Sequence, residues 1–302
     1  MIIDKNDLLI LRHLERAGLW LNPLPEQLKL PIEEIKIRIK KLEAEQIINT
    51  YNPIIFIPPF LGGDWVWGCV FINALKRENI VSQITEKIPF VSEIWFNSSL
   101  PTQLGHNISA AFYSKDFDTG VKFIKEIPDI SYLEAYRISS FNYPLARIFS
   151  TEEKQLLKAV FTNPLSNPEQ ISEICGKNPL WIKTKLEKLV WTPQNPDGVI
   201  MILPEVHYRR IQNFSHCHLI LDSTSKVSTL FDELKTFGFD IVLNGRSFQG
   251  KYIQIETDIW GFNDLIAKKT FLEQYEEIKI KGIIFAEEMR INSNWGLRLL
   301  ED

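Results

Sequence analysis

Two clusters of cations carry the first chemistry this chain could do. Lys29, Lys36, Arg38, Lys40 and Lys41 stand within one short stretch, opposed there by Glu33 and Glu34. Lys183, Lys185 and Lys188 form a second run beside Glu187. Cations at this density neutralise phosphates and release their counterions, which gives affinity without sequence preference. A cation that also reaches a base edge discriminates, and Arg38 and Lys36 are the residues suited to guanine. On any other element the same runs are solvated faces. The five histidines are His13, His106, His207, His216 and His218. A metal needs ligands grouped at workable spacing. His216-Cys217-His218 puts two imidazoles on one strand face, but no acidic ligand lies nearby in sequence. The pair therefore reads as structural, or as part of a dimer face, and no metal is expected. Cys69, Cys175 and Cys217 form no C-x-x-C pair, so neither zinc nor redox chemistry is indicated. There is no glycine-rich phosphate loop and no nucleophile elbow. Glu152-Glu153 and Glu276-Glu277 are merely adjacent on polar faces. No cofactor and no catalysed reaction are expected.

Elements must position the cations. Asp4 caps a first helix with Leu8, Leu9, Ile10, Leu11 and Leu14 on its apolar side, and Gly18 ends it. Residues 25–28 start a short second helix. Pro31 opens a third, to about Glu45, burying Ile32, Ile35, Ile39 and Leu42. Residues 47–55 read as a small hairpin, a wing. Three helices with a short second one and a wing predict a winged helix-turn-helix, whose third helix would enter a DNA major groove. Residues 65–141 then run strand, helix, strand, strand, helix, strand, the order of a ferredoxin-like split β-α-β.

The chain says this twice. Residues 35–42 return at 182–189, Pro25-Glu26-Gln27 returns as Pro168-Glu169-Gln170, and Cys69 and Cys217 share an apolar strand-like context. A repeat of roughly 148 residues exceeds the ~20–50 of solenoid units, so each half is domain-sized. Ser150 and Glu153 spell a capping box, and Asn167-Pro168 and Asn178-Pro179 each pair an N-cap with a first-turn proline. Strands are expected near 199–203, 216–221, 240–246, 251–257 and 279–287. The chain reads as an intramolecular pseudo-dimer.

Composition sets outer bounds. The chain has 302 residues, 45% hydrophobic and 24% charged, which is ordinary for a globular protein of two or more domains. A net charge of −4 excludes a uniformly basic coat but not a local basic face. No apolar run is long enough to span a membrane, and the N-terminus lacks a signal-peptide pattern, so a cytoplasmic protein is expected.

The arrangement resembles the Lrp/AsnC (feast/famine) family of transcription regulators. The matching pattern is Asp4, Asp7, Ile10, Leu11 and Leu14, then Leu24-Pro25-Glu26-Gln27-Leu28, then Ile35, Arg38, Ile39, Leu42, Glu43, Ile47, Ile48 and Tyr51. In that family the first domain binds DNA and the second dimerises and often senses an amino acid. The resemblance thus implies DNA-binding roles for Lys29, Lys36, Arg38, Lys40, Lys41, Lys183, Lys185 and Lys188. It implies ligand contacts from Thr102, Gln103, His106, Asn244 and Arg246. There are departures. Gln46 stands where the family has Gly, and Leu104-Gly105-His106-Asn107 lacks the family's turn. Trp181 and a Pro-containing segment at 191–198 alter the second copy.

The expectations are these. The fold class is α+β, two winged helix-turn-helix domains alternating with two ferredoxin-like (βαββαβ) domains. Boundaries fall at 1–58, 59–145, 146–208 and 209–302. The function is a DNA-binding, effector-responsive transcription regulator that is not an enzyme. Its partners are double-stranded DNA and a small-molecule effector, with no membrane, and the pseudo-dimer is open to further homodimerisation. Each sheet should keep one apolar face free for the other, with Val70, Ile72, Leu219 and Leu221 as candidates of open parity. Two alternatives stay open: a tetrapyrrole-modifying enzyme related to sirohaem decarboxylases, and an interaction scaffold that binds no DNA.

Overall fold

In the computed structural model the described residues are 1–19, 21, 23–99, 104–138, 146–192, 194–223, 231–243, 252–276 and 278–301. They form a mixed α+β chain. In order come α1 (Lys5–Ala17), α2 (Leu24–Leu28), α3 (Ile32–Ala44), β1 (Ile48–Ile55) and α4 (Ile57–Leu61). Then follow β2 (Val66–Ala74), α5 (Arg77–Lys87), β3 (Val91–Ser99), β4 (Ile108–Ser114), α6 (Phe117–Lys125) and β5 (Ile130–Ile138). The second half has α7 (Thr151–Thr162), α8 (Pro168–Cys175), α9 (Pro179–Leu189) and β6 (Ile200–Val206). It continues with a single 3-10 turn (Tyr208–Arg210), β7 (Phe214–Ser223), α10 (Phe231–Thr236) and β8 (Phe239–Leu243). β9 (Tyr252–Trp260), α11 (Gly261–Glu273), β10 (Ile278–Ile291) and α12 (Asn294–Leu299) complete it. Among the described residues no helix is long and apolar enough to cross a membrane.

The chain divides into two units, each drawn from both halves. A helical unit comprises Ile3–Trp65, Phe141–Val206 and Ile291–Asp302; a sheet unit comprises Met1–Ile2, Val66–Ser140 and His207–Arg290. In the helical unit, local chemistry starts the helices. Asp4 and Asp7 form a capping box on α1, Ser150 and Glu153 on α7, and Asn167 and Gln170 on α8. Asn178 caps α9. Ile10, Leu11, Leu14, Ile35 and Leu42 are buried, whereas Leu9 is exposed. Residues 47–55 do not fold back as the hairpin expected from the sequence. β1 instead runs antiparallel to β6, from Ile48 opposite Val206 to Ile55 opposite Ile200. Its eight residues carry no internal turn, so the ladder's partner comes from the other half of the chain.

In the sheet unit the strands lie in the order β5-β2-β4-β3-β10-β7-β9-β8. Alternation along each strand sends every second side chain to one face. Val70, Ile72, Ile94, Ala110 and Phe112 pack with Ile80, Ile84, Val121 and Ile124 of α5 and α6. Leu219, Leu221 and Ile255 pack with Leu234 and Leu272 of α10 and α11. Each such side chain contributes about 1.5–3 kcal/mol on burial. The helices cover this face, so Val70, Ile72, Leu219 and Leu221 are committed to it. The opposite face carries none of these helices, yet its side chains are largely buried too.

Candidate functional site

The opposite face is polar and aromatic rather than apolar. Cys69 and Phe71 of β2, Glu93, Trp95 and Asn97 of β3, and Tyr136 of β5 have this parity. So do His216 and His218 of β7 and Gln254, Glu256 and Asp258 of β9. Asn97, His106, His216, His218 and Gln254 are all buried. Burying polar groups costs free energy unless they are paired, so a face built this way marks a site.

The densest part lies on the β7/β9 ladder. His216 stands opposite Asp258 and His218 opposite Glu256. The Nδ1 atom of His216 is 3.0 Å from Oδ1 of Asp258, and its Nε2 is 3.2 Å from Nε2 of His218. Oε2 of Glu256 is 3.7 Å from the same His216 Nε2. Tyr208 stacks on His216 at 5.3 Å between centroids, and Trp95 lies 6.1 Å from His216 and 6.2 Å from His218. The imidazoles are thus fixed by a carboxylate on one side and walled by aromatic rings on the other.

His106 reaches this region from the segment before β4. The loop is held at both ends. The Leu104 amide donates to the Lys281 carbonyl at 3.0 Å, and the Asn107 amide donates to Ile72 at 2.9 Å. The Asn107 side chain also clamps the backbone of Ala74, accepting at 3.0 Å and donating at 2.6 Å. His106 packs on Phe71, 4.4 Å between centroids, and Phe71 meets Tyr136 edge-on at 5.1 Å. Burial, then the nearby His218, hold the His106 pKa well below the ordinary imidazole value, so the ring is neutral. It is fully buried, and neither ring nitrogen has a hydrogen-bond partner among the described residues. Both amide atoms of Gln254, also fully buried, are in the same condition.

Glu93 completes the chemistry. Burial raises its carboxyl pKa, partly countered by a hydrogen bond from the Trp95 side chain. Burial, then the Glu93 charge, push the Cys69 thiol up as well. The shift favours the protonated carboxyl.

The sequence-derived site residues mostly lie elsewhere. In the helical unit, Lys29 is exposed with left-handed backbone (φ 55°) at the end of α2. Lys36 is exposed and paired with Glu33 at 2.8 Å, and Lys40 and Lys41 are exposed on α3. Arg38 is half-buried and occupied by carboxylates: its Nη1 is 2.7 Å from Asp7 and 2.8 Å from Asp4, and its Nε is 3.4 Å from Glu34. Lys183 and Lys188 are exposed on α9, while Lys185 pairs with Glu153 at 3.2 Å and sits 5.7 Å over the Trp181 ring. Thr102, Gln103, Asn244 and Arg246 lie outside the described residues. His106 alone of the expected ligand contacts falls within the site described above. The sequence reading passed over Glu93, Trp95, Gln254, Glu256 and Asp258. The signal available was the H-x-H at 216–218 together with the E-x-D at 256–258.

No family model matches the chain, and no curated protein matches it. Solved structures do. The chain is similar to the sirohaem decarboxylase NirDL, at 12% identity and a TM-score of 0.50, over 98% of this chain and 97% of that one. NirDL in complex with an iron-uroporphyrin III analogue matches at 12% identity and a TM-score of 0.47, over 94% and 90%. AsnC of E. coli matches at 22% identity and a TM-score of 0.28, over 49% of this chain and 99% of AsnC. At these identities the full-length likeness shows a shared fold. It nonetheless corrects the expectation of a DNA-binding regulator that catalyses nothing. At full length the chain shares its fold with a solved enzyme rather than with a regulator, and fold alone does not assign DNA binding. The structure adds a physical reason, because the Arg38 guanidinium offered as a base reader is held by three carboxylates of its own unit.

Proposed function

We propose that this chain is an enzyme acting on a carboxylated tetrapyrrole, with its site on the helix-free face of the sheet unit. The observation that carries the reading is His106. An imidazole fully buried with both nitrogens unpaired among the described residues costs about 1–3 kcal/mol per unsatisfied group. A ligand presenting a donor and an acceptor recovers that cost. Gln254 offers the same recovery with its amide. Phe71, Tyr136 and Tyr208 are buried rings of this face, and Trp95 is half-buried among them, so the polar groups sit in an aromatic setting. The full-length likeness to a sirohaem decarboxylase supports the choice of ligand class.

The reaction class is decarboxylation of a substrate side chain. The carbon–carboxylate bond breaks, CO2 leaves, and the electron pair left on carbon takes up a proton. Glu93 is the proton donor, its proton then restored from solvent. His106 and Gln254 orient the substrate's polar rim, and the aromatic walls exclude water, which strengthens each polar contact. The strand orders β5-β2-β4-β3 and β10-β7-β9-β8 support reading the sheet unit as two ferredoxin-like (βαββαβ) modules. The α-α-α-β order of each half supports two winged helix-turn-helix modules in the helical unit.

The test is a visible-absorption titration of the full chain with iron-uroporphyrin III, followed by mass analysis after incubation with sirohaem. A saturable Soret shift and a product lighter by CO2 are expected. No shift and no mass change would sink the reading.

A further inference from the structure

We propose that His216, His218 and Glu256 bind a divalent first-row transition-metal ion such as zinc, a site separate from any metal a tetrapyrrole carries. Zinc takes imidazole nitrogens at about 2.0–2.1 Å, which in a tetrahedron places two such nitrogens about 3.3–3.4 Å apart. The facing Nε2 atoms of His216 and His218 are 3.2 Å apart. One donor atom from each of the three side chains lies within 4.8 Å of the other two. Glu256 brings Oε2 to 3.7 Å from His216 Nε2.

Three further features fit a metal. First, Asp258 lies 3.0 Å from Nδ1 of His216. A carboxylate on the far nitrogen fixes the tautomer so that Nε2 presents its lone pair to an ion, and raises its basicity. Second, the charges balance: two neutral imidazoles with the Glu256 and Asp258 carboxylates suit a dication. Third, the ligands stand on a rigid frame. His218 and Glu256 are cross-strand partners two rungs along the same face from His216 and Asp258, and Tyr208 stacks on His216. Two nitrogens and one carboxylate are the donor set of borderline metals rather than calcium or magnesium. Three protein ligands leave one coordination position open, as in catalytic rather than structural zinc sites. The open position would take an anionic oxygen, water or a carboxylate.

The competing account is a direct imidazole–imidazole hydrogen bond with no ion. The experiment uses the full chain without tetrapyrrole, so its failure and that of the decarboxylase reading are distinguishable. Chelator-treated protein is titrated with Co2+ and the visible d–d absorption recorded. Saturation at one ion per chain is expected, with bands of tetrahedral intensity that Zn2+ displaces. The double variant His216→Ala/His218→Ala should lose the bands. Asp258→Asn, which keeps size and strand context, should weaken uptake roughly 10–100-fold. His13→Ala, on α1 and outside the ligand set, should bind as the parent does. If a ligand variant fails to fold by circular dichroism, the parent's melting temperature with and without Zn2+ decides, since a native-state site must raise it. No saturable uptake by the folded parent, or uptake unchanged in the folded double variant, overturns the proposal.

Discussion

Leu104 and Gly282 meet backbone to backbone: a Cβ placed on Gly282 would lie 1.8 Å from the Leu104 carbonyl oxygen. Next to that contact, the Leu104 amide bonds to Lys281 on the same strand. Gly282 therefore carries no side chain so that the segment leading to His106 can cross β10. A residue of the expected ligand set is thus positioned from the far half of the chain.

Replacing Gly282 with Ala must push this segment away, since the neighbour is backbone and cannot rotate aside. Overpacking of this kind costs about 1–3 kcal/mol. G282A should melt lower and bind iron-uroporphyrin III more weakly. A variant that keeps parental affinity would show that the Leu104 contact does not place His106.

Glu93 should reveal itself through pH. Its folded-state pKa is raised, with burial as the main cause. The folded protein then holds a proton that the unfolded chain releases near the ordinary value of 4.5. The stability this group contributes is complete below that value and is lost as pH rises through the raised one. Glu93→Gln cannot ionise and escapes the loss. The melting-temperature difference, variant minus parent, should grow as pH rises from acid to neutral, while turnover of sirohaem falls sharply. A difference flat across that range would refute the raised pKa.

How much of this was legible in the sequence depends on distance along the chain. The capping residues Asp4, Ser150, Asn167 and Asn178 act within three positions, and they occur where the sequence put them. Strand alternation marked β2 and β7, but alternation alone does not say which parity lies beneath helices. The acidic partners of the H-x-H stretch sit across the β7/β9 ladder, and only the register brings Asp258 to His216. The pairing of β1 with β6 is similarly remote, so a local hairpin was the natural but mistaken reading. The cation run on α3 misled for a related reason: the carboxylates that occupy Arg38 include Asp4 and Asp7, a helix away.

That last arrangement gives a stability prediction. The Asp7 side chain is only 2% exposed, and Arg38 is its close ionic partner. Removing one partner of a buried pair leaves an uncompensated charge, at a cost of about 3–5 kcal/mol. Arg38→Ala should therefore lower the melting temperature markedly, and Arg38→Lys should rescue only part, because a point charge cannot serve Asp4, Asp7 and Glu34 from two separate guanidinium nitrogens. Unchanged melting in Arg38→Ala would return the residue to the pool of free surface cations.

The ligand reading turns on His106 and Gln254 having opposite effects on stability and binding. Both are fully buried with polar atoms unpaired among the described residues, a cost the fold carries without return unless a ligand repays it. Replacing either with an apolar residue of similar volume removes that cost. Gln254→Met should therefore raise the melting temperature, because the unsatisfied amide disappears while the volume stays. The same change deletes the contact the substrate would use, so affinity for iron-uroporphyrin III should fall by about tenfold, the worth of one ordinary hydrogen bond of roughly 1–1.5 kcal/mol. His106→Leu should behave alike, stabilising the free protein and weakening the complex. Thermal melts of the free chain and absorption titrations of the same preparations separate the two effects. If both variants melt lower and bind as well as the parent, these residues are ordinary packing and the site lies elsewhere.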